Sequence, residues 1–192
     1  MPSTVHSRPV FERKLVLQST QAQQIIKRSF KRTINVLYRL DVIVHVTQDE
    51  KVIAALEHVI TKKLSHVKVS LDTAFTEINE QLTRLGITSV PQYTHAQTIS
   101  VNVSTPHIGR YAELISTLDR LVVAIDTLWL AGELENKVRM DNNFTYQRQL
   151  VDLSRDLYEL DAGVHQHVET TSDVEHQTDT NESTSTDELS EV

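Results

Sequence analysis

Thr98-Ile99-Ser100-Val101-Asn102-Val103-Ser104, followed by Thr105-Pro106, is the stretch that decides the fold. It alternates strictly. Ile99, Val101 and Val103 fall on one face, and Thr98, Ser100, Asn102 and Ser104 on the other, because successive side chains of an extended chain point to opposite sides. The apolar face is built for burial. The other offers short, uncharged hydrogen-bonding groups, which suit a protein partner or base edges in a DNA groove; an ordinary solvated strand has the same spacing. Immediately downstream the period changes. Thr105 before Pro106 is the expected start of a helix, with proline at a position that needs no N–H. Ile108, Tyr111, Ile115, Leu118, Val122, Ile125 and Trp129 recur at helical spacing, and Leu114, Leu121 and Leu128 widen the stripe. A helix so patterned is buried around most of its circumference.

Upstream, residues 11–18 read as a second short strand, and Ser19 and Thr20 as a helix N-cap. The helix that follows carries Ile25, Phe30, Ile34, Leu37 and Val42 at helical spacing and is expected to reach about Val46. Its β-branched end, Val42 to Val46, leaves the terminus open. Thr47 with Glu50 three residues on forms a capping box. The next helix is expected to run to Leu85, with Ile53, Leu56, Ile60, Leu64, Val67, Leu71, Phe75, Ile78 and Leu82 in a 3-4 rhythm. At about 50 Å it must pack along another long helix or a second subunit, and Val67–Val69 is the place where it would break in two. A last helix is expected over 135–160, with Asp141-Asn142-Asn143 as a possible interruption. Gly86, Gly132 and Gly163 each follow a helical pattern at the position of a left-handed C-cap.

The net charge of -7 conceals an asymmetry. Residues 1–90 hold 13 Lys and Arg against 8 Asp and Glu, whereas residues 161–192 hold none against 9. The cations concentrate in residues 1–46. The expected organisation is a flexible N-terminus (1–10), a single helical DNA-binding and dimerisation domain (11–162), and an acidic tail (163–192) too poor in large apolar residues to offset its ordering entropy. The fold class is therefore mostly α, an α+β chain with long helices and one or two short strands. The chain has no Cys, hence no thiolate chemistry or disulfides. Its polar start is no secretory signal and its apolar runs are too short to span a membrane, so a cytoplasmic location is expected.

No constellation for catalysis stands out: there is no glycine-rich phosphate loop and no nucleophile elbow. The nine His residues are scattered, and neither metal nor cofactor is expected. Asp119 and Asp126, seven apart, read as a polar seam on the Pro106 helix. The basic cluster says more. Lys27, Arg28, Lys31 and Arg32 gather on one side of their helix, with Arg13 and Lys14 on the strand before it. Such a group can track a phosphate backbone, and the acidic tail would compete with DNA for it.

Gln18-Ser19-Thr20-Gln21-Ala22-Gln23 after a short strand resembles the Gln-Thr-x-x-Ala-Gln opening of the AcaB-like family of conjugative plasmids and integrating conjugative elements. Pro106 through Gly132, with Arg110-Tyr111, Leu118-Asp119-Arg120 and Asp126-Thr127-Leu128-Trp129, resembles that family's second signature. The resemblance covers about residues 11–160. It implies a cytoplasmic DNA-binding activator of transfer genes, related to ribbon-helix-helix proteins, in which two chains pair one strand each into a ribbon that enters the major groove. On this reading Lys27, Arg28, Lys31 and Arg32 face phosphates. Lys14 and Gln18, or Thr98, Ser100 and Asn102, face bases; Arg13 and Arg110 complete the expected set. The expected partners are double-stranded DNA, a second copy of the chain and the transcription machinery. The alternative is a helical scaffold or adaptor that binds a protein through its long helices.

Overall fold

The computed structural model describes residues 9–43 and 50–181, with side chains described through residue 42 and from 50 to 164. Strand β1 spans Phe11–Leu17. Helix α1 is one continuous run over residues 20–43, in which π-helical turns at Ile26–Phe30 and Arg39–Ile43 interrupt α-helical geometry. Helix α2 spans Glu50–Arg84, strand β2 Gln97–Val103, helix α3 Pro106–Leu130 and helix α4 Asn136–Asn181. The chain is mostly helical, with both expected strands present.

The two strands pair with each other, antiparallel, from Phe11↔Val103 to Leu17↔Gln97. The ribbon that the family resemblance assigns to two chains is thus closed inside one. The helices pack around α3. Helix α2 runs parallel to it, as successive pairs show: Thr61 with His107, Lys68 with Glu113, and Arg120 over Phe75. This supplies the long partner that a 35-residue helix requires, and Val67–Val69 leave it unbroken. Helix α1 runs antiparallel to α3, from Ser19 against Asp119 to Asp41 against His107, with Phe30 and Tyr111 stacked between. Helix α4 closes the other side through Tyr111–Ser154 and the ion pairs Lys63–Asp156 and Arg39–Asp161.

The caps behave as elementary geometry dictates, with one exception. Ser19 Oγ accepts from the Ala22 N–H, and Thr105 Oγ1 from the Ile108 N–H, with Pro106 behind it. Gly86 and Gly132 take positive φ, and 6→1 bonds from Ile87 to Leu82 and from Glu133 to Leu128 close their helices. Gly163 does not cap: α4 passes through it and on to Asn181. Asp141-Asn142-Asn143 does not interrupt that helix either, because Asn143 turns inward and bonds Asp126. The expected cap at Thr47 and residues 1–8 of the N-terminus lie outside the described residues, as do residues 182–192 and the side chains beyond Val164 in the expected tail. Among the described residues no helix is long and apolar enough to cross a membrane.

Candidate nucleic-acid interface

The inner face of the ribbon is anchored. Leu15, Leu17 and Val101 are buried, and Ile99 and Val103 pack against the same core. At Gly109 an added Cβ would lie 3.3 Å from Val103 Cγ1, so the missing side chain lets the end of β2 settle onto the first turns of α3. On β1 the inner face fades at this same end, where Phe11, opposite Val103, and Arg13 are exposed.

The outer face is polar and open. In register it carries Glu12 beside Asn102, Lys14 beside Ser100 and Val16 beside Thr98, all exposed. A two-stranded antiparallel ribbon has the width to enter the major groove. Lys14, Thr98, Ser100 and Asn102 therefore lie together on one surface, and β1 and β2 both contribute to it. Arg13 belongs to the opposite register. Gln18 lies past the strand, its N–H held by Asp119 and its side chain on the wall of a cavity shared with Leu82 and Ile87.

The ribbon is fastened at its root by two residues. Asp119, 4% exposed in the middle of an apolar helix, accepts from the Gln18 N–H at 3.0 Å, the Ser19 N–H at 2.7 Å and the Ser19 hydroxyl at 2.7 Å. Its carboxylate also sits at the start of α1, where a helix favours negative charge. Gln23 reaches from α1 to the Leu17 carbonyl at 3.2 Å and the His95 carbonyl at 2.9 Å, joining the end of β1 to the loop before β2. Spacing alone shows Asp119 only as part of a polar seam. The signal that finds its role is a lone carboxylate between Leu118 and Leu121 in a chain with an uncovered Ser19 cap.

At the other end of the ribbon, α3 begins with a chain of polar contacts that runs from the surface at Arg110 to the buried His107. The Arg110 guanidinium donates to Thr61 Oγ1 at 3.3 Å, Thr61 lies 3.1 Å from His107 Nε2, and His107 Nδ1 lies 2.5 Å from Asp41 Oδ1. Arg110 itself is exposed, one turn beyond β2. Lys27, Arg28, Lys31 and Arg32 are exposed on α1, beyond the ribbon root. The Arg32 guanidinium lies 3.6 Å from the centre of the Tyr158 ring, which ties this basic face to α4. On the far side of the root, burial and the hydrogen bond to Asp126 push the Tyr93 hydroxyl well above its ordinary pKa. Among the described residues no group of three or more His, Asp and Glu is arranged to hold a metal ion.

Among solved structures the chain is similar to AcaB from uropathogenic E. coli. The two share 32% sequence identity over 86% of each chain, with a TM-score of 0.84. No family model and no curated protein matches the sequence.

Proposed function

Since this chain belongs to the AcaB family, we propose that it is a sequence-specific double-stranded DNA-binding regulator of conjugative transfer genes, acting as an activator in the cytoplasm. The observation that carries this reading is the outer face of the ribbon. It is an exposed row of Lys14, Thr98, Ser100 and Asn102 on a scaffold whose opposite face is locked into the core. Side chains of this kind read base edges: amides pair with adenine, cations with guanine, and hydroxyls with either. Lys27, Arg28, Lys31 and Arg32 supply phosphate contacts that position the protein without specifying sequence, and Arg110 adds one at the start of α3. A second copy of the chain would double the contacted site, and the transcription machinery is the partner through which an activator acts.

The test is a gel shift of the full-length protein on promoter fragments from its own element, at two salt concentrations and with random DNA as competitor. A specific, salt-sensitive shift is expected, because each neutralised phosphate releases counterions. Absence of any shift, with salt-insensitive association to a protein, would replace this reading with the helical adaptor.

A further inference from the structure

The chain repeats itself at a fixed spacing. Strand β2 begins and ends 86 positions after β1, at Gln97 for Phe11 and at Val103 for Leu17. The N-caps Ser19 and Thr105 stand the same distance apart, and so do the helix starts Thr20 and Pro106. The buried residues Leu64, Val67 and Leu71 of α2 recur at that spacing in α4 as Leu150, Leu153 and Leu157. The contacts repeat too. Thr61 meets His107 across α2 and α3. The equivalent residues Gln147 and Gln21 meet across α4 and α1, where Gln147 Nε2 donates to the Gln21 carbonyl at 3.3 Å. Two β-α-α halves therefore face each other across an approximate two-fold axis. The axis passes between Lys14 and Ser100, which are opposite each other in the register and equivalent in the repeat. This is the isologous arrangement of a symmetric dimer, here fused into one chain. Each half lays its second helix along the first helix of the other.

The symmetry holds in the core and fails on the outer face of the ribbon. The inward equivalents Leu15 and Val101 are both apolar and buried. The outward equivalents are Glu12 and Thr98, Lys14 and Ser100, and Val16 and Asn102, and no two agree in chemistry. Antiparallel pairing sorts them by end. Glu12 and Asn102 share one end, an anionic acceptor beside an amide. Val16 and Thr98 share the other, two side chains that present methyl groups. Asn pairs with adenine and Glu accepts from cytosine N4, whereas apolar side chains and the Thr methyl contact the C5-methyl of thymine.

We propose that one chain by itself supplies the complete ribbon for one major-groove site, and that this site is not palindromic. Thymine methyls meet Val16 and Thr98 at one end, adenine or cytosine meets Asn102 and Glu12 at the other, and Lys14 lies over the centre. Two identical strands from two chains would present the same side chains at both ends, and the operator would mirror that symmetry. On the DNA-binding reading, on which this rests, the fused halves fix both the number of chains per site and the polarity of the site.

Two experiments on the full-length protein test this. The chain has no Cys, so Lys14→Cys with Ser100→Cys introduces its only thiols, one on each side of the axis, and a short bismaleimide reports whether they share a chain. A linked pair of tryptic peptides in a band of monomer mass is expected. The same pair in a band of dimer mass, or no linked pair, overturns the one-chain ribbon. The second experiment takes the shortest promoter duplex that retains the specific gel shift. Replacing thymine by uracil removes one methyl and should weaken binding about fourfold per contacted base, at one end of the site alone. Val16→Ala should remove most of that sensitivity, and Asn102→Ala should relax preference at the opposite end alone. Uracil sensitivity at mirror-related positions of both ends, or at neither end, overturns the asymmetric site. So does relaxed preference at both ends in either variant. A chain that links within itself but shifts no promoter fragment overturns the regulator reading and leaves the fused dimer standing.

Discussion

Two polar surfaces lie within one strand's length of each other and are organised in opposite ways. On the outer face of the ribbon, Lys14, Ser100 and Asn102 are exposed, and among the described residues they have no side-chain hydrogen bond or ion pair. At the ribbon's root, Asp119 is buried and its carboxylate is fully engaged by Gln18 and Ser19. The difference separates two jobs that residue type alone does not distinguish. A polar group committed inside the chain sets geometry, and one left uncommitted on a rigid support is available to a partner. The largest expected effect follows from the committed side. Asp119→Ala leaves two backbone N–H groups and a hydroxyl without their charged acceptor and should destabilise the fold by about 3–5 kcal/mol. Asp119→Asn keeps one acceptor oxygen and should cost about 1–3 kcal/mol. Urea unfolding checks both, and a wild-type midpoint for Asp119→Ala would dissolve the contrast.

The uncommitted side should give the mirror image. Asn102→Ala and Lys14→Ala remove groups that nothing in the chain uses, so unfolding free energies should stay within about 0.5 kcal/mol of the parent. On the specific DNA site, Asn102→Ala should cost about 1–3 kcal/mol and relax preference at one base pair. Its affinity for random DNA should hardly move. Equal loss on specific and random DNA would sharpen the comparison differently, by transferring base reading from β2 to β1.

How much of this was legible in the sequence depends on range. The alternation of Thr98–Ser104, the Ser19 and Thr105 caps and the long stripe of α2 are local, and each forms as its spacing predicts. Strand pairing is not local: nothing in residues 11–18 says that their partner lies some 80 residues on in the same chain rather than in a second one. Gln23 and Asp119 show the same limit from the side of function. Their roles exist only once α1 and α3 are antiparallel neighbours, because the Asp119 contacts span |i−j| of 100 or 101. The signature stretches that carry the family resemblance contain these fastening residues and Trp129, and they leave out Lys14, Ser100 and Asn102. Family likeness here follows the support of the ribbon more closely than the face it presents.

A smaller effect decides whether the basic helix shares the ribbon's partner. Lys27→Ala and Lys31→Ala each remove one exposed cation without touching the core. If α1 lies along the backbone, each should weaken binding to all sequences alike and flatten the plot of log affinity against log salt by about one ion. Unchanged slopes would confine the DNA contact to the ribbon and leave the α1 face for another partner. Arg32 is the less clean probe, since its guanidinium also rests on Tyr158.

The smallest effect sets two glycines against each other. Gly132 ends α3 with φ of +81°, whereas Gly163, which the same sequence pattern marks as a cap, lies inside α4. An alanine in the left-handed region is strained by about 1–2 kcal/mol, so Gly132→Ala should destabilise. An alanine at Gly163 meets nothing within 4 Å and replaces the residue that loses most freedom on entering a helix. Gly163→Ala should therefore stabilise by about 0.5–1 kcal/mol, read as a raised midpoint in urea. A lowered midpoint would mean that Gly163 caps the helix in solution, so that α4 ends near Leu160 and the acidic residues beyond it belong to a separate tail. The opposite signs expected at these two positions follow from φ, which the Gly-after-helix pattern does not encode.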